Sequence, residues 1–173
     1  MTLKISVDMD DTLNEWYGPY LSRFGEPKDD YEVTKNVCRV LKDDKDFWLN
    51  LPIKHRPNFD VFCYTTSRII RKCWIKEYIN KMELPNAPVY QVFGACLSKV
   101  PQLRRCGCDV HIDDSIKQFI LANLSGIPTL LMDSPYNQEW GPVGRVFSLD
   151  KDEIEDTFHL FKETMLPYFK ELI

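Results

Sequence analysis

The sequence predicts an α/β protein with a Rossmann-like parallel sheet of about five strands flanked by helices. Short apolar, β-prone runs alternate along the chain with segments in which apolar residues recur at helical spacing. This order is typical of right-handed βαβ crossovers, which cover both faces of a parallel sheet with helices. Acidic and hydroxyl residues follow several of the apolar runs directly. Because ligands bind beyond the carboxyl ends of parallel strands, we expect these residues to share one edge of the sheet.

The individual elements follow from spacing and from start and stop residues. Strands are expected over residues 3–7, 59–64, 89–93, 110–112 and 129–132. The helix after the first strand is expected to have Thr12 as its N-cap and to end near Gly25. Further helices are expected over residues 70–82, 98–105 and 116–124, and a last one from Asp150, which Pro167 should kink or end.

The chain is expected to form one domain with a small insertion. Its 173 residues are enough for a single well-buried core. Residues 26–50 are charged and broken, and one or two short helices are expected there. We therefore predict an α/β core of residues 1–13 and 53–173, with a small helical cap formed by residues 14–52. From here on, residues 14–52 are called the insertion.

Composition limits the classes of partner. The net charge of −4 disfavours binding to a nucleic-acid backbone, which requires clustered lysine and arginine, but small anions remain candidate ligands. The first residues show no basic-plus-apolar pattern and no apolar run reaches bilayer length, so neither a leader nor a membrane span is expected. We expect a cytoplasmic protein that binds a small molecule and does not associate with a membrane. The composition does not indicate an oligomeric state.

The cysteines are expected to be free thiols, mostly buried. Only Cys106 and Cys108 have a spacing that suits a metal, and the second pair that a closed zinc site needs is missing. Free thiols are typical of a reducing compartment. The set comprises Cys38, Cys63, Cys73, Cys96, Cys106 and Cys108.

Three carboxylates and a hydroxyl are crowded immediately after the first apolar run, in Asp8, Asp10, Asp11 and Thr12. Like charges this close repel one another unless a cation lies among them or one group is protonated. One interpretation is a solvated turn in which Asp11 or Thr12 caps the next helix. The other is a Mg²⁺-assisted phosphoryl-transfer site, in which one aspartate attacks phosphorus and another handles protons.

The second interpretation is favoured by three further motifs that follow in order. These are Thr66 after the second strand, Lys99 at the start of a helix, and the pair Asp113 and Asp114 after the fourth strand. With the first motif they resemble the haloacid dehalogenase superfamily of phosphohydrolases over nearly the whole chain. Each motif alone is a weak signal, but four in the correct order and structural context are a strong one.

The resemblance implies a Mg²⁺-dependent reaction in which Asp8 attacks phosphorus and also binds the metal. Asp10 would protonate the leaving alkoxide and later take a proton from water, and its backbone carbonyl would be a second ligand. Asp114 is favoured as a further ligand with Asp113 in a supporting catalytic role, although either carboxylate of the pair could face the ion.

Substrate contacts are expected from Thr66, Ser67, Arg68, Lys99 and Trp48. Lys99 and the Thr66 hydroxyl would contact the phosphoryl oxygens, with the preceding threonine as the alternative to Thr66. Trp48 is flanked by polar residues and is expected to be free to stack on a base. Arg68 would either hold a second phosphate or carboxylate, or pair with Asp60 at the sheet surface.

The insertion lies between the first and second motifs, which resembles the small helical cap of the 5'(3')-deoxyribonucleotidases. Residues 47–52 and 131–137 are also similar to stretches of that family, whereas its pattern has a proline at the position of Arg68. The resemblance implies hydrolysis of a small phosphate monoester, with a (deoxy)nucleoside monophosphate favoured. Two alternatives stay open: removal of 3'-phosphates from nucleic-acid ends, and a metal-binding regulatory module without turnover.

Overall fold

A computed structural model describes residues 2–92 and 97–171 of the chain. The strands in these ranges are β1 (Ile5–Asp8), β2 (Cys63–Thr66), β3 (Val89–Gln91), β4 (Val110–Asp113), β5 (Thr129–Met132) and β6 (Arg145–Val146). The α-helices are α1 (Tyr17–Phe24), α2 (Asp30–Arg39), α3 (Lys45–Leu49), α4 (Lys72–Lys81), α5 (Val100–Cys106), α6 (Ile116–Leu124), α7 (Lys151–Thr164) and α8 (Leu166–Glu171). A 3-10 helix covers Leu41–Asp43.

The strands form one parallel sheet in the order β3-β2-β1-β4-β5-β6. The predicted α/β class with a Rossmann-like parallel sheet is confirmed. The chain first builds outward from β1 through β2 and β3, then crosses back and adds β4 on the other side of β1. A crevice opens at such a reversal of strand order, so the carboxyl ends of β1 and β4 are where this fold places a ligand.

The core is continuous between the sheet and the insertion. All residues of β1, β2, β4 and β5 are buried, as expected for a parallel sheet covered on both faces. Tyr20, Leu41 and Trp48 of the insertion belong to the same apolar cluster as Val7 of β1 and Phe161 of α7. The insertion is therefore packed against the sheet rather than held away from it.

The two ends of the insertion meet at one place. The backbone N–H of Lys54 and that of His55 donate to the Leu13 carbonyl, at 2.9 and 3.1 Å, and Glu15 N–H donates to the Pro52 carbonyl at 2.9 Å. Between these ends lie α1, α2, the 3-10 helix and α3, where one or two short helices were expected after residue 25. The chain thus leaves and rejoins the α/β core directly beside the first acidic motif.

Several predicted boundaries are wrong. The first helix begins at Tyr17 and not at Thr12, because the Asp11 carboxylate accepts the Trp16 and Tyr17 backbone N–H groups and starts the helix there. β2 begins at Cys63 and not at residue 59. β6 was not predicted, since two residues carry no alternation that a pattern could detect.

Other predicted elements agree more closely. The structure gives 116–124 and 129–132 the bounds that the sequence predicts, and the last helix is interrupted between α7 and α8, next to Pro167. The predicted third strand extends to residue 93, which lies outside the described residues, as does Cys96. None of the helices in the described ranges combines the length and apolar composition needed to cross a membrane.

The expectation of free thiols is wrong for one pair of cysteines. Cys63 at the start of β2 and Cys106 at the end of α5 form a disulfide, with their Cα atoms 6.9 Å apart. They are separated by 43 residues in sequence, so no local pattern could pair them. Cys38, Cys73 and Cys108 are free, as predicted, but the expectation of mostly buried thiols is wrong for them, because Cys73 is exposed and the other two are only partly buried. The expected cytoplasmic location stays a prediction.

Candidate active site

Three carboxylates converge at the carboxyl ends of the two central strands. Asp8 ends β1, Asp113 ends β4, and Asp114 follows it. One oxygen from each lies within 4.8 Å of the others, and the three residues are 4%, 0% and 8% exposed. The register that pairs Val7 with Ile112 brings the two strand ends level, so residues a hundred positions apart in sequence become neighbours.

Lys99 is the cation in contact with this cluster. Its Nζ lies 2.6 Å from Asp8 Oδ1 and 2.7 Å from Asp113 Oδ2. The residue sits at the N-cap of α5, where its backbone N–H donates to Gln118 Oε1 at 2.9 Å. Burial lowers the pKa of Lys99, but the two carboxylates outweigh burial and raise it, so the side chain is a fixed positive charge.

The electrostatics of the cluster favour an additional cation. Burial raises the pKa of Asp8 well above its usual value, and the neighbouring aspartates add to this against the opposing effect of Lys99. Burial and Asp113 raise the pKa of Asp114 to about 7. For Asp113, burial is outweighed by Lys99 and His111, which lower its pKa to about 2.

The buried oxygens fit a hard divalent ion. One lysine cannot neutralise three carboxylates, and in a buried site each uncompensated charge is costly. Mg²⁺ takes oxygen ligands and keeps several waters, so three converging carboxylate oxygens suffice to hold it. Asp113 and Asp114 each contribute an oxygen to the cluster. The geometry therefore allows both carboxylates to contact the ion, whereas the sequence left open which of the two would do so.

Asp10 lies beside the cluster with its carboxylate turned elsewhere. Its Oδ1 accepts a hydrogen bond from Arg68 Nε at 2.8 Å, and its Oδ2 accepts one from the Thr66 hydroxyl at 3.2 Å. The side chain of Asp10 does not belong to the group of three converging carboxylates found among residues 2–92 and 97–171. The predicted role of its backbone carbonyl as a ligand stays a prediction.

The two threonines that end β2 contact different aspartates. Thr65 donates to Asp8 Oδ1 at 3.1 Å, whereas Thr66 donates to Asp10. Successive side chains of a strand point to opposite faces, which accounts for the separation of the two hydroxyls. The predicted contact of Thr66 with a phosphoryl group stays a prediction, and Thr65 is already engaged with the proposed nucleophile.

Sequence reasoning missed several residues that hold the aspartates. Thr12 donates to Asp114 Oδ1 at 2.9 Å, and the Tyr136 hydroxyl donates to the other oxygen of Asp114. His111 Nε2 lies 3.1 Å from Asp113 Oδ2. The alternation of strand β4 could have found His111, because residues two apart share a face. No local pattern links Tyr136 to Asp114.

Two cavities meet beside these residues. The first, the acidic cavity, has a volume of about 150 Å³ and is lined by the three converging aspartates, Lys99 and the start of α6. The second, the apolar cavity, has a volume of about 160 Å³ and lies between the loop after β2 and the insertion, which contributes Trp16, Val33 and Val37. Asp10 and Ser67 line both. A molecule could therefore occupy the two cavities at once, with Asp10 beside the junction.

The sequence predicts an exposed Trp48 that is free to face a ligand, and the predicted exposure is wrong. Trp48 is 2% exposed, and its indole N–H donates to the Leu41 carbonyl at 2.6 Å. The apolar packing of α3 against the core buries the ring despite its polar sequence neighbours. Trp48 nonetheless lines the apolar cavity.

Arg68 does not make the predicted ion pair with Asp60. The side chain is 2% exposed and pairs with Asp10, where its Nη2 also lies 2.8 Å from Oδ1. Only Nε is aligned for a hydrogen bond to that oxygen, while Nη1 and Nη2 have no hydrogen-bond partner among the described residues. The Arg68 side chain points inward because Asp10, which follows the neighbouring strand β1, lies within reach of it.

A scan of the chain against protein-family models and a search of curated proteins both find no match. The resemblance to the haloacid dehalogenase superfamily therefore rests on the sequence motifs.

Proposed function

We propose that this chain is a Mg²⁺-dependent phosphatase of the haloacid dehalogenase superfamily. It hydrolyses a small phosphate monoester through an aspartyl-phosphate formed on Asp8. The observation that carries the proposal is the convergence of Asp8, Asp113 and Asp114, with their oxygens within 4.8 Å and Lys99 2.6 Å from Asp8. A nucleophile, a cation and a metal-suited oxygen set are what phosphoryl transfer requires.

Asp8, Asp113 and Asp114 would hold the ion. Mg²⁺, when bound, draws negative charge from the phosphoryl oxygens and so lessens their repulsion of a carboxylate nucleophile. Lys99 adds a second positive charge beside Asp8 and Asp113. Since both contacts described for Asp8 use Oδ1, we assign Oδ2 as the oxygen that attacks phosphorus.

The first half-reaction forms a bond between Asp8 and phosphorus and breaks the bond from phosphorus to the ester oxygen. The electron pair of the broken bond goes to the leaving oxygen, which takes a proton from Asp10. Asp10 lines both cavities, and thus lies between the aspartate cluster and the space where the alcohol would sit. The alcohol then leaves from the apolar cavity.

The second half-reaction returns the enzyme to its starting state. Asp10, now ionised, takes a proton from a water molecule as that water attacks phosphorus, and the bond to Asp8 breaks. Inorganic phosphate is released, and Asp10 has regained its proton.

The apolar cavity favours a leaving group that presents an apolar face to the insertion. The residues that the insertion contributes are Trp16, Val33, Thr34, Val37 and Trp48. Stacking of a base on aromatic side chains is worth about 1–3 kcal/mol. These features support a (deoxy)nucleoside monophosphate as the substrate class, in line with the family resemblance.

Phosphate release from a panel of nucleoside monophosphates and sugar phosphates, with and without Mg²⁺, tests the proposal. We expect turnover of at least one nucleotide that depends on Mg²⁺ and disappears in Asp8→Asn. The matched control is Asp43→Asn, because Asp43 is exposed and is not one of the three converging carboxylates.

Retained turnover in Asp8→Asn contradicts the mechanism. Activity confined to oligonucleotide 3'-ends would favour the end-processing alternative, and that activity should fall steeply with salt. A protein that binds Mg²⁺ but releases no phosphate from any ester would favour the regulatory alternative.

A further inference from the structure

Arg68 holds the Asp10 carboxylate from two directions. Its Nε donates directly to Asp10 Oδ1 at 2.8 Å. Its backbone N–H donates to Thr66 Oγ1 at 3.1 Å, and the Thr66 hydroxyl donates in turn to Asp10 Oδ2 at 3.2 Å. The two routes together form a closed ring of hydrogen bonds, in which both oxygens of Asp10 are fixed.

The guanidinium of Arg68 is itself held by aromatic rings. Its central carbon lies 5.0 Å from the centroid of Trp48 and 5.4 Å from that of Tyr78. A cation over an aromatic face is attracted to it, most strongly where water is excluded. The Tyr78 hydroxyl donates to the Leu51 carbonyl at 3.0 Å, which fixes that ring in turn. Arg68 is thus a rigid support that joins the insertion to the end of β2.

The backbone of the loop that carries Arg68 is also tied down. Gln91 Nε2, from the end of β3, donates to the carbonyls of Arg68 and Ile70 at 3.3 and 2.9 Å. A general acid must come within hydrogen-bond reach of the oxygen that it protonates. A side chain fixed at both oxygens by a supported loop has little freedom to miss that position.

We propose that Arg68 is a positioning residue, which holds the Asp10 carboxylate at the junction of the two cavities for proton transfer to the leaving group. The proposal rests on the proposed phosphatase function. Arg68 keeps its own protons throughout, since a guanidinium does not act as an acid in proteins. The proton that moves belongs to Asp10, and Arg68 determines only where that proton is delivered.

Two esters of nearly the same shape separate positioning from other roles. The phosphates of 4-nitrophenol and 4-nitrobenzyl alcohol differ by one methylene. The first leaves as a stabilised phenolate, which needs little protonation, whereas the second leaves as a strongly basic alkoxide. Loss of a well-placed acid should therefore slow only the second reaction strongly.

The informative variant is Arg68→Met, which keeps the length and apolar contact of the side chain but removes its donors. We expect its kcat for the nitrobenzyl ester to fall about 100-fold and its kcat for the nitrophenyl ester to fall less than about tenfold. Arg68→Lys, which restores one charged donor, should recover part of the loss. The matched control is Arg71→Met, because Arg71 is exposed and lies over the ring of Trp74, 5.7 Å from its centroid, in contact with no carboxylate among the described residues.

Equal losses of kcat on the two esters would overturn the proposal. So would a rise in KM at unchanged kcat, because that result assigns Arg68 to binding of the leaving group. In an Asp10→Asn background, Arg68→Met should cause no further loss on the nitrobenzyl ester, and additive losses would again contradict the positioning role. Should Arg68→Met fail to fold, as judged by urea unfolding, Arg68→Lys carries the same test.

The outcome also distinguishes this proposal from the one on which it rests. Turnover that depends on Asp8, with an unchanged ratio of the two rates in Arg68→Met, overturns the positioning role alone. A wild-type protein that releases phosphate from neither these esters nor the nucleotide panel overturns the phosphatase function, and the positioning role falls with it.

Discussion

The acidic cavity and the apolar cavity share Asp10 and Ser67 but are built from different parts of the chain. The acidic cavity is formed at the ends of β1 and β4 and at the starts of α5 and α6, where paired strands fix the backbone. The apolar cavity is formed by a loop after β2 and by helices of the insertion. The first is defined by charges at short distances, and the second by the packing of apolar side chains.

This difference suggests a division of labour within the proposed function. Every phosphate monoester has the same phosphoryl group, so a rigid cluster of charges can serve any of them. Leaving groups vary in shape and polarity, and a wall made of helices can change without disturbing the sheet. Variants of the acidic cavity should therefore affect kcat, and variants of the apolar side chains that the insertion contributes to the apolar cavity should affect KM.

Among variants that keep the proposed nucleophile Asp8, the largest effect is expected from Lys99→Met. This variant removes the cation that contacts Asp8 and Asp113, and loss of one preorganised charge or donor costs about 10²–10³ in kcat. Phosphate release under saturating substrate measures it, with circular dichroism to establish that the variant is folded. Lys72→Met, at an exposed position in α4, is the matched control. A kcat within about threefold of wild type would contradict the claim that the charge of Lys99 accelerates the reaction in the acidic cavity.

A second effect is expected on stability when Mg²⁺ is added. An ion that binds only the folded protein should raise the free energy of unfolding by about 2.7 kcal/mol at a hundred times its Kd. Asp114→Asn should reduce this gain because it removes one of the three converging carboxylates. Urea unfolding with and without Mg²⁺ gives the gain directly.

The control for the Mg²⁺ experiment is a change of the same type at an exposed site. Asp43→Asn should retain the full gain, since Asp43 is not part of the cluster. A gain of equal size in Asp114→Asn and wild type would mean that the ion binds elsewhere. The acidic cavity would then not be the Mg²⁺ site, and its charges could not be assigned to metal binding.

The two cavities also differ in how well the sequence predicts them. The acidic motifs follow strands, and the carboxyl ends of parallel strands meet at one edge of the sheet, so Asp8, Asp113 and Asp114 could be placed together from pattern alone. Lys99 was placed with them by the order of the motifs along the chain. The pattern does not indicate which hydrogen-bond partner each of these side chains has in the fold. Thr12, expected as a helix cap, donates instead to Asp114.

The apolar cavity was harder to predict because its residues come from loops and short helices. Polar neighbours indicated an exposed Trp48, whereas tertiary packing buries it. Arg68 was assigned either to a ligand or to Asp60, and its pairing with Asp10 depends on a contact across 58 positions. The Cys63–Cys106 disulfide is a third case, since a long-range pair leaves no periodic trace in the sequence.

The smallest effect is expected from Val37→Ala. This variant tests whether the apolar cavity recognises the leaving group. Val37 is half-buried and lines the apolar cavity, so the truncation removes two methyl groups from its wall. Loss of this contact should raise KM for the best nucleotide substrate by about three- to tenfold at nearly constant kcat. Val40→Ala is the control, because Val40 lies at the end of the same helix and is 42% exposed. If Val37→Ala instead lowered kcat and left KM unchanged, the wall would contribute to the transition state, and the division between a cavity for chemistry and a cavity for recognition would fail.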